Sequence, residues 1–361
     1  MSQEHEDDND QEIPMAFDPL EEAYIIYKEE IDKRYKEQAL LKKGLPRDFI
    51  LPESLKAPDN VIAILKKYDR APHQRRIDGV IRNTVMLDVP YDTISPLLLE
   101  VPHVGFISIA CATDDTETIQ EHHLSIIKQM KEIREIEIYL EKHCFSPDAL
   151  TVLKHLPHLH KLDIPRFHDI DHHMPVICQL QTLVELRFDS MITISNSSFV
   201  HVGKLRNLKI LQADYVLENV SSGFRTLENL KQLENLSAEG CGLQDCDSDF
   251  LTELTKLTEL NLAFSKIGNE TLMRIGTLFN LNSLYLSECP KITSAGLLHI
   301  RNLRNLETLF IDLHSIDENV IEMICNMKKL TYLHVAGGEL TSDQVKTIKQ
   351  AIPAVDYDYY P

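Results

Sequence analysis

The chain has no tryptophan among its 361 residues and only twelve glycines. Scarce glycine argues against a phosphate-cradling loop, and neither a P-loop nor a dinucleotide glycine motif occurs. The HExxH zinc motif and the nucleophile elbow of hydrolases are missing as well. No apolar run reaches the length a membrane helix needs. The first fifteen residues, MSQEHEDDNDQEIPM, hold six acids and neither lysine nor arginine, so they lack the basic and apolar regions of a secretion signal. Seven cysteines in a long chain with no export signal read as reduced thiols. These absences lead us to expect a cytoplasmic or nuclear protein that is not an enzyme and carries no cofactor. Positive charge is also short: the net charge is −19. Such a surface repels phosphate backbones, which disfavours nucleic acid, and attracts basic surfaces. It also serves simply to keep an elongated protein soluble.

What the chain does have is a repeat. Leu254-Thr-Lys-Leu257-Thr-Glu-Leu260-Asn-Leu262 recurs as Leu278-Phe-Asn-Leu281-Asn-Ser-Leu284-Tyr-Leu286, as Leu303-Arg-Asn-Leu306-Glu-Thr-Leu309-Phe-Ile311 and as Met327-Lys-Lys-Leu330-Thr-Tyr-Leu333-His-Val335. The second apolar position of this LxxLxxLxL template also falls at Val104, Ile133, Leu159, Leu183, Leu208 and Leu233. The ten copies are spaced by 24 to 29 residues, and all thirty positions of their LxxLxL cores are apolar. A weaker eleventh copy runs from Thr84 to Val89, with Leu87 and Val89 as its strand residues. The alternation inside LxxLxL predicts a short strand whose leucines point one way and whose intervening side chains point the other. Helices are expected in the second half of each unit, for example from Glu270 to Phe279 and from Ser294 to Arg301. One such unit cannot bury its apolar face alone, so the copies must stack.

This pattern resembles the leucine-rich repeats, over roughly residues 100 to 345. The ribonuclease-inhibitor-like and cysteine-containing classes fit best, because Cys241 and Cys289 stand in the slot after the strand where those families place Asn or Cys. The resemblance implies an α/β solenoid, a curved horseshoe with parallel strands on the concave side and helices on the convex side. Cysteine-containing repeats are common in F-box substrate adaptors of ubiquitin ligases, which act with cullin-type components. Leu45-Pro46 and Ala63-Ile64-Leu65 give a faint echo of an F-box, without its usual tryptophan. Ser54-Leu55 lacks the cysteine of an elongin-binding box.

The chain is expected to divide into an acidic disordered tail (1–15), a helical N-terminal region or cap (16–75), the solenoid (76–345) and a C-terminal capping tail (346–361). Leu20, Tyr24, Tyr27, Ile31 and Tyr35 recur at helical spacing between Asp18 and Leu45, and a second helix is expected from Asn60 to Tyr68. The open end of any solenoid needs a cap, and that role ranks ahead of an F-box. A last helix is expected from Ser342 to Ala351, followed by an extended tail with three tyrosines.

His155, His158, His160, His172 and His173 are separated by the repeat register, so exposed histidines are expected rather than a metal site. The concave face carries the stronger signal. Its outward positions include Arg187, Asp189, Asp214, Tyr215, Glu239 and Asn261 in the middle copies. Phe264, Tyr285, Phe310, Tyr332 and His334 follow in the later ones. An exposed aromatic group there fits a binding hot spot, unless the C-terminal tail folds back over it. The resulting expectation is a non-enzymatic scaffold that holds a protein ligand on this face and is, most specifically, a ubiquitin-ligase adaptor. A permanent assembly component and an enzyme-inhibitor-type binder are the alternatives.

Overall fold

The structure, a computed structural model, describes residues 56–67, 73–77, 80–88, 95–110, 118–139, 145–165, 170–188, 194–215, 221–312, 314 and 316–360. Met1–Ile50 forms one unit and Leu51–Pro361 another. The acidic tail, the first expected helix and the Leu45-Pro46 and Ser54-Leu55 motifs lie outside the described residues.

Among the described residues thirteen strands form one sheet in chain order. β1 (His73–Ile77) and β2 (Val80–Asp88) make an antiparallel hairpin. From β2 onward every neighbour is parallel. The early strands are β3 (Val104–Ala110), β4 (Glu135–Tyr139), β5 (Lys161–Asp163) and β6 (Glu185–Phe188). The middle ones are β7 (Ile210–Ala213), β8 (Asn235–Ser237), β9 (Glu259–Asn261) and β10 (Ser283–Tyr285). The sheet closes with β11 (Thr308–Asp312), β12 (Tyr332–Ala336) and β13 (Asp356–Tyr360). A parallel pair needs a crossover, and the helical half of each unit supplies it on the opposite side of the core.

The thirty apolar positions of the ten copies are all at most 5% exposed. They join one core cluster that runs from Ala57 to Val355. Burying a leucine fully contributes about 1.5–3 kcal/mol, so the repeated slots dominate the stability of the stack.

Two expectations need correction, and one open alternative is decided. The eleventh copy is present, but it registers two residues earlier than its sequence suggests. Val85 and Leu87 pair with Ile107 and Ile109 and fill the core, with a register shift between Asn83 and Thr84. Asn83 takes the first slot, fully buried, and its side-chain amide donates to Pro102 O at 2.7 Å. Next, the helical halves are short. The segment expected as Ser294 to Arg301 is an α-helix at Ser294–Leu297 followed by a 3-10 helix at Leu298–Asn302, and Asp245–Glu253 is entirely 3-10. The tighter winding rises about 2.0 Å per residue against 1.5 Å, so it spans the unit with fewer residues. Finally, the C-terminal segment does not cross the strand face. It runs beside β12 as β13, with His334 opposite Asp358.

Both ends of the described stack are closed by local structure. Helix α1 (Asp59–Lys67) and its approach put Ala57 and Val61 into the core. At the other end Thr341 caps the helix Ser342–Ala351 with a reciprocal bond pair to Gln344, and Ile352 and Val355 are buried.

Candidate functional site

Parallel register aligns one outward side chain from each unit into a row. It runs Glu137, Asp163, Arg187, Gln212, Ser237, Asn261, Tyr285, Phe310, His334 and Asp358. Of the residues singled out from the sequence, Arg187, Asn261, Tyr285, Phe310 and His334 stand in this row. Tyr332 lies two residues before His334, Asp214, Tyr215, Glu239 and Phe264 follow the ends of their strands, and Asp189 lies outside the described residues.

The middle of the row is a bonded polar ladder. Glu185 accepts from Lys161 at 2.5 Å and from Arg187 at 2.6 Å, and Arg187 also donates to Gln212 at 3.0 Å. Burial pushes the Glu185 carboxyl upward, but Arg187 and Lys161 outweigh it and hold the group below its ordinary value. Gln212 donates to Asp214 at 2.9 Å, as do the Ser237 hydroxyl at 2.6 Å and the Glu239 backbone at 3.0 Å. Asp214 is only 8% exposed, so it ties two units together rather than standing ready for a partner. Glu239 is half-buried; it accepts from the Tyr215 hydroxyl and from the Asn261 amide at 2.8 Å. Asn261 in turn accepts from Ala263 N at 3.0 Å.

The later units carry stacked rings. Phe310 lies 4.7 Å from Tyr285, 5.5 Å from Tyr332 and 4.7 Å from His334, between ring centroids. Sequence reasoning expects these rings to be exposed. Phe310 and His334 are instead 8% and 7% exposed, because each is covered by neighbours on both sides. Tyr285 and Tyr332 are half-buried and form the reachable part of the group. The Tyr332 hydroxyl donates to Asp358 at 2.8 Å, so β13 orients the cluster from the side.

A second aromatic pair sits at the turn that leaves the strands. Tyr215 and Phe264 have φ of 55°, in the left-handed region. For a residue with a Cβ that conformation costs about 1–2 kcal/mol. Their rings are 6.2 Å apart.

Comparison with solved structures places this architecture. The chain is similar to an internalin (inlF) from Listeria monocytogenes str. 4b F2365, at 13% identity over 88% of this chain and 94% of that chain, with a TM-score of 0.51. An internalin C2 (inlC2) from the same strain aligns with 64% of this chain and 81% of its own, at 18% identity and a TM-score of 0.37. The fold is a leucine-rich-repeat solenoid. At this identity the likeness concerns the fold alone. No protein-family model and no curated protein matches the chain.

Within that solenoid, the slot after the strand is a donor position in the two units that place a cysteine there. The thiol of Cys241 donates to Ala213 O at 2.7 Å and that of Cys289 to Leu262 O at 3.3 Å, each reaching the preceding unit. Burial pushes the Cys289 thiol up to about 12, which keeps the proton this bond needs. Among the histidines, His155, His158 and His172 are exposed and His160 is half-buried. His173 departs from the expectation: it is fully buried, with the Phe145 ring edge-on at 5.9 Å. Among the described residues no helix is long and apolar enough to cross a membrane.

Two further devices link the units, the second of them starting from the template residue Phe188 on β6. Asp171, Asn196, Asp245 and Asn269 accept from backbone N–H groups one unit further on, at Ser195, Gly223, Gly268 and Thr293. Phe188, Phe199, Phe224 and Phe250 form a buried spine with centroid separations of 6.3, 4.8 and 5.8 Å. Both leave a sequence trace, in polar residues and phenylalanines recurring near the repeat spacing.

Proposed function

We propose that this chain is a non-enzymatic scaffold whose strand face holds a protein partner. The observation that carries the reading is the ring cluster of Tyr285, Phe310, Tyr332 and His334, gathered on the outward side of a sheet whose core is already complete. Rings outside the core do not add to it, while rigid aromatic groups are enriched at the centres of protein interfaces. Tyr285 and Tyr332 make the contact, and Phe310 and His334 hold them in place. The finer reading is a substrate adaptor of a ubiquitin ligase with cullin-type partners, recruited through the N-terminal region and acting in the cytoplasm or nucleus. It draws on the F-box-like echo at Leu45-Pro46 and on the cysteine slots.

One affinity purification with three forms of the chain tests both levels. The doubly substituted Tyr285→Ala, Tyr332→Ala chain should lose the partners captured by the wild type while melting as cooperatively; unchanged capture overturns the strand-face reading. A chain lacking residues 1–50 keeps α1 and β1, so its solenoid end stays closed. It should retain the strand-face partner and lose a cullin-type component. No such component co-purifying with the full chain overturns the adaptor reading.

A further inference from the structure

The turns that follow β7, β8, β9, β10 and β12 pass through a left-handed residue. In four successive units this is Tyr215 (φ 55°), Gly240 (φ 65°), Phe264 (φ 55°) and Glu288 (φ 58°), and after β12 it is Gly337 (φ 74°), followed by Gly338 (φ 137°). Glycine adopts this conformation freely, whereas a residue with a Cβ resists it. Two of these turns nevertheless carry large aromatic side chains, on either side of a glycine. The spacing is used: a Cβ on Gly240 would stand 2.6 Å from Cδ1 and Cε1 of Tyr215. The Tyr215 ring therefore lies against the Gly240 backbone and meets Phe264 at 6.2 Å, with the planes at 50°. Backbone strain of this kind persists where the surrounding structure enforces it, and it gathers at functional sites.

Beside the rings stands the half-buried carboxylate of Glu239. The Tyr215 hydroxyl and the Asn261 amide donate to its two oxygens. These donors orient the carboxylate, whose two oxygens offer about four acceptor positions. Aromatic faces next to an oriented carboxylate suit a guanidinium, which stacks on a ring and donates in a planar fork. The surrounding charge agrees. The outward positions of β7, β8 and β9, continued to the next such position past each strand's end, hold Asp214, Glu239 and Glu259 and neither lysine nor arginine. Nearby on the face, Lys161 and Arg187 are both engaged by Glu185.

We infer that Tyr215, Glu239 and Phe264 form an arginine subsite, which takes a basic, extended segment of the protein partner. This rests on the strand face being the binding face. An arginine of that segment lies over the two rings with its N–H groups turned to Glu239.

The test uses the full chain and fluorescein-labelled short peptides that alternate glycine with arginine, lysine or citrulline, read by fluorescence anisotropy at low and physiological salt. The arginine peptide should bind saturably and more weakly as salt rises, the lysine peptide should bind less tightly, and the uncharged citrulline peptide should not bind. Tyr215→Ala, Glu239→Gln and Phe264→Gly should each weaken the arginine peptide about tenfold, equivalent to about 1.4 kcal/mol. Phe264→Gly removes the ring and the backbone conflict together, so it should lose affinity while retaining a cooperative melt. Arginine binding no tighter than citrulline overturns the subsite, and so does an affinity unmoved by these three changes. If the three are silent while Tyr285→Ala with Tyr332→Ala still abolishes partner capture, the strand face stands and only the arginine subsite falls. If none of the five substitutions changes peptide binding or capture, both readings fall.

Discussion

Two aspartates show how the same side chain can be tuned in opposite directions by one fold. Asp245 accepts from Gly268 N at 2.8 Å, Thr271 N at 3.0 Å and the Thr271 hydroxyl at 2.6 Å. Burial pushes its carboxyl up, but these bonds and the charge of Arg274 outweigh it, and the group ends below its ordinary value. Asp312 also receives two backbone bonds, from Glu288 and Cys289 at 2.8 and 3.0 Å. There burial prevails and the carboxyl ends above its ordinary value. Linkage then assigns opposite signs. The stabilisation from Asp245 is present above the unfolded value and is lost as pH falls through the lowered folded one. That from Asp312 is present below the unfolded value and is lost as pH rises through the raised folded one. We therefore expect Asp245→Asn to cost about 1–2 kcal/mol near neutrality, the worth of a helix-start cap with its side-chain bond. Urea titrations across pH should show the wild-type advantage over Asp245→Asn growing as pH rises from acid. The advantage over Asp312→Asn should shrink over its own range above about pH 4. Equal slopes for the two variants would contradict the assignment.

At the scale of an element, the helical half of each unit is held less by helix propensity than by what it packs on. The segments are short, several are 3-10, and isolated helices of that length are marginal in water. The phenylalanine spine supplies the missing stability. Phe224 is fully buried between Phe199 and Phe250, at 4.8 and 5.8 Å. Phe224→Ala should lower the unfolding free energy by about 3–5 kcal/mol in urea denaturation, with Phe224→Leu well under half of that. A loss below about 1 kcal/mol for the alanine variant would mean the spine is not packed.

The same contrast separates what the sequence reveals from what it hides. The strand row from Glu137 to His334 was legible because LxxLxL fixes direction locally, two residues at a time. The Phe199, Phe224 and Phe250 part of the spine, and the Asp171 to Asn269 ladder, join residues about a whole repeat apart on positions that the leucine template does not mark. Their signal lies in the recurrence of phenylalanine and of Asp or Asn, not in leucine. The eleventh copy is out of register with the template because its first slot is Asn83 and the register shifts beside it. Burial of Phe310 and His334 was hidden for a third reason. It depends on Tyr285, Tyr332 and β13 from other units, and no single unit encodes it. Nor could the left-handed turn be read where Tyr215 and Phe264 occupy it, since glycine is its usual sign.

At the scale of the whole stack, each unit touches mainly its neighbours, so stability should behave as a sum of local terms with the ends most sensitive. β13 is the last strand of the sheet, paired on one side by β12. Its approach buries Ile352 and Val355, the Tyr357 hydroxyl accepts from Leu340 N at 2.9 Å, and Asp358 accepts from Tyr332. Ending the chain after Ala351 removes all of these and leaves the β12 edge and its core residues Leu333 and Val335 unprotected. Two buried aliphatic side chains alone are worth about 3–6 kcal/mol. The one-dimensional view predicts where that loss appears. Amide hydrogen exchange should accelerate strongly in β12 and β11 and remain near wild type in β4 and β5, while size-exclusion chromatography shows association through the newly open strand edge. The truncated chain should also lose the support of Tyr332 and with it partner capture at the ring cluster, while arginine-peptide binding at Tyr215 and Phe264, several units away, stays intact. Exchange that accelerates evenly from β4 to β12 would show instead that the stack unfolds as one cooperative body, and the local account of both the cluster and the subsite would have to be given up.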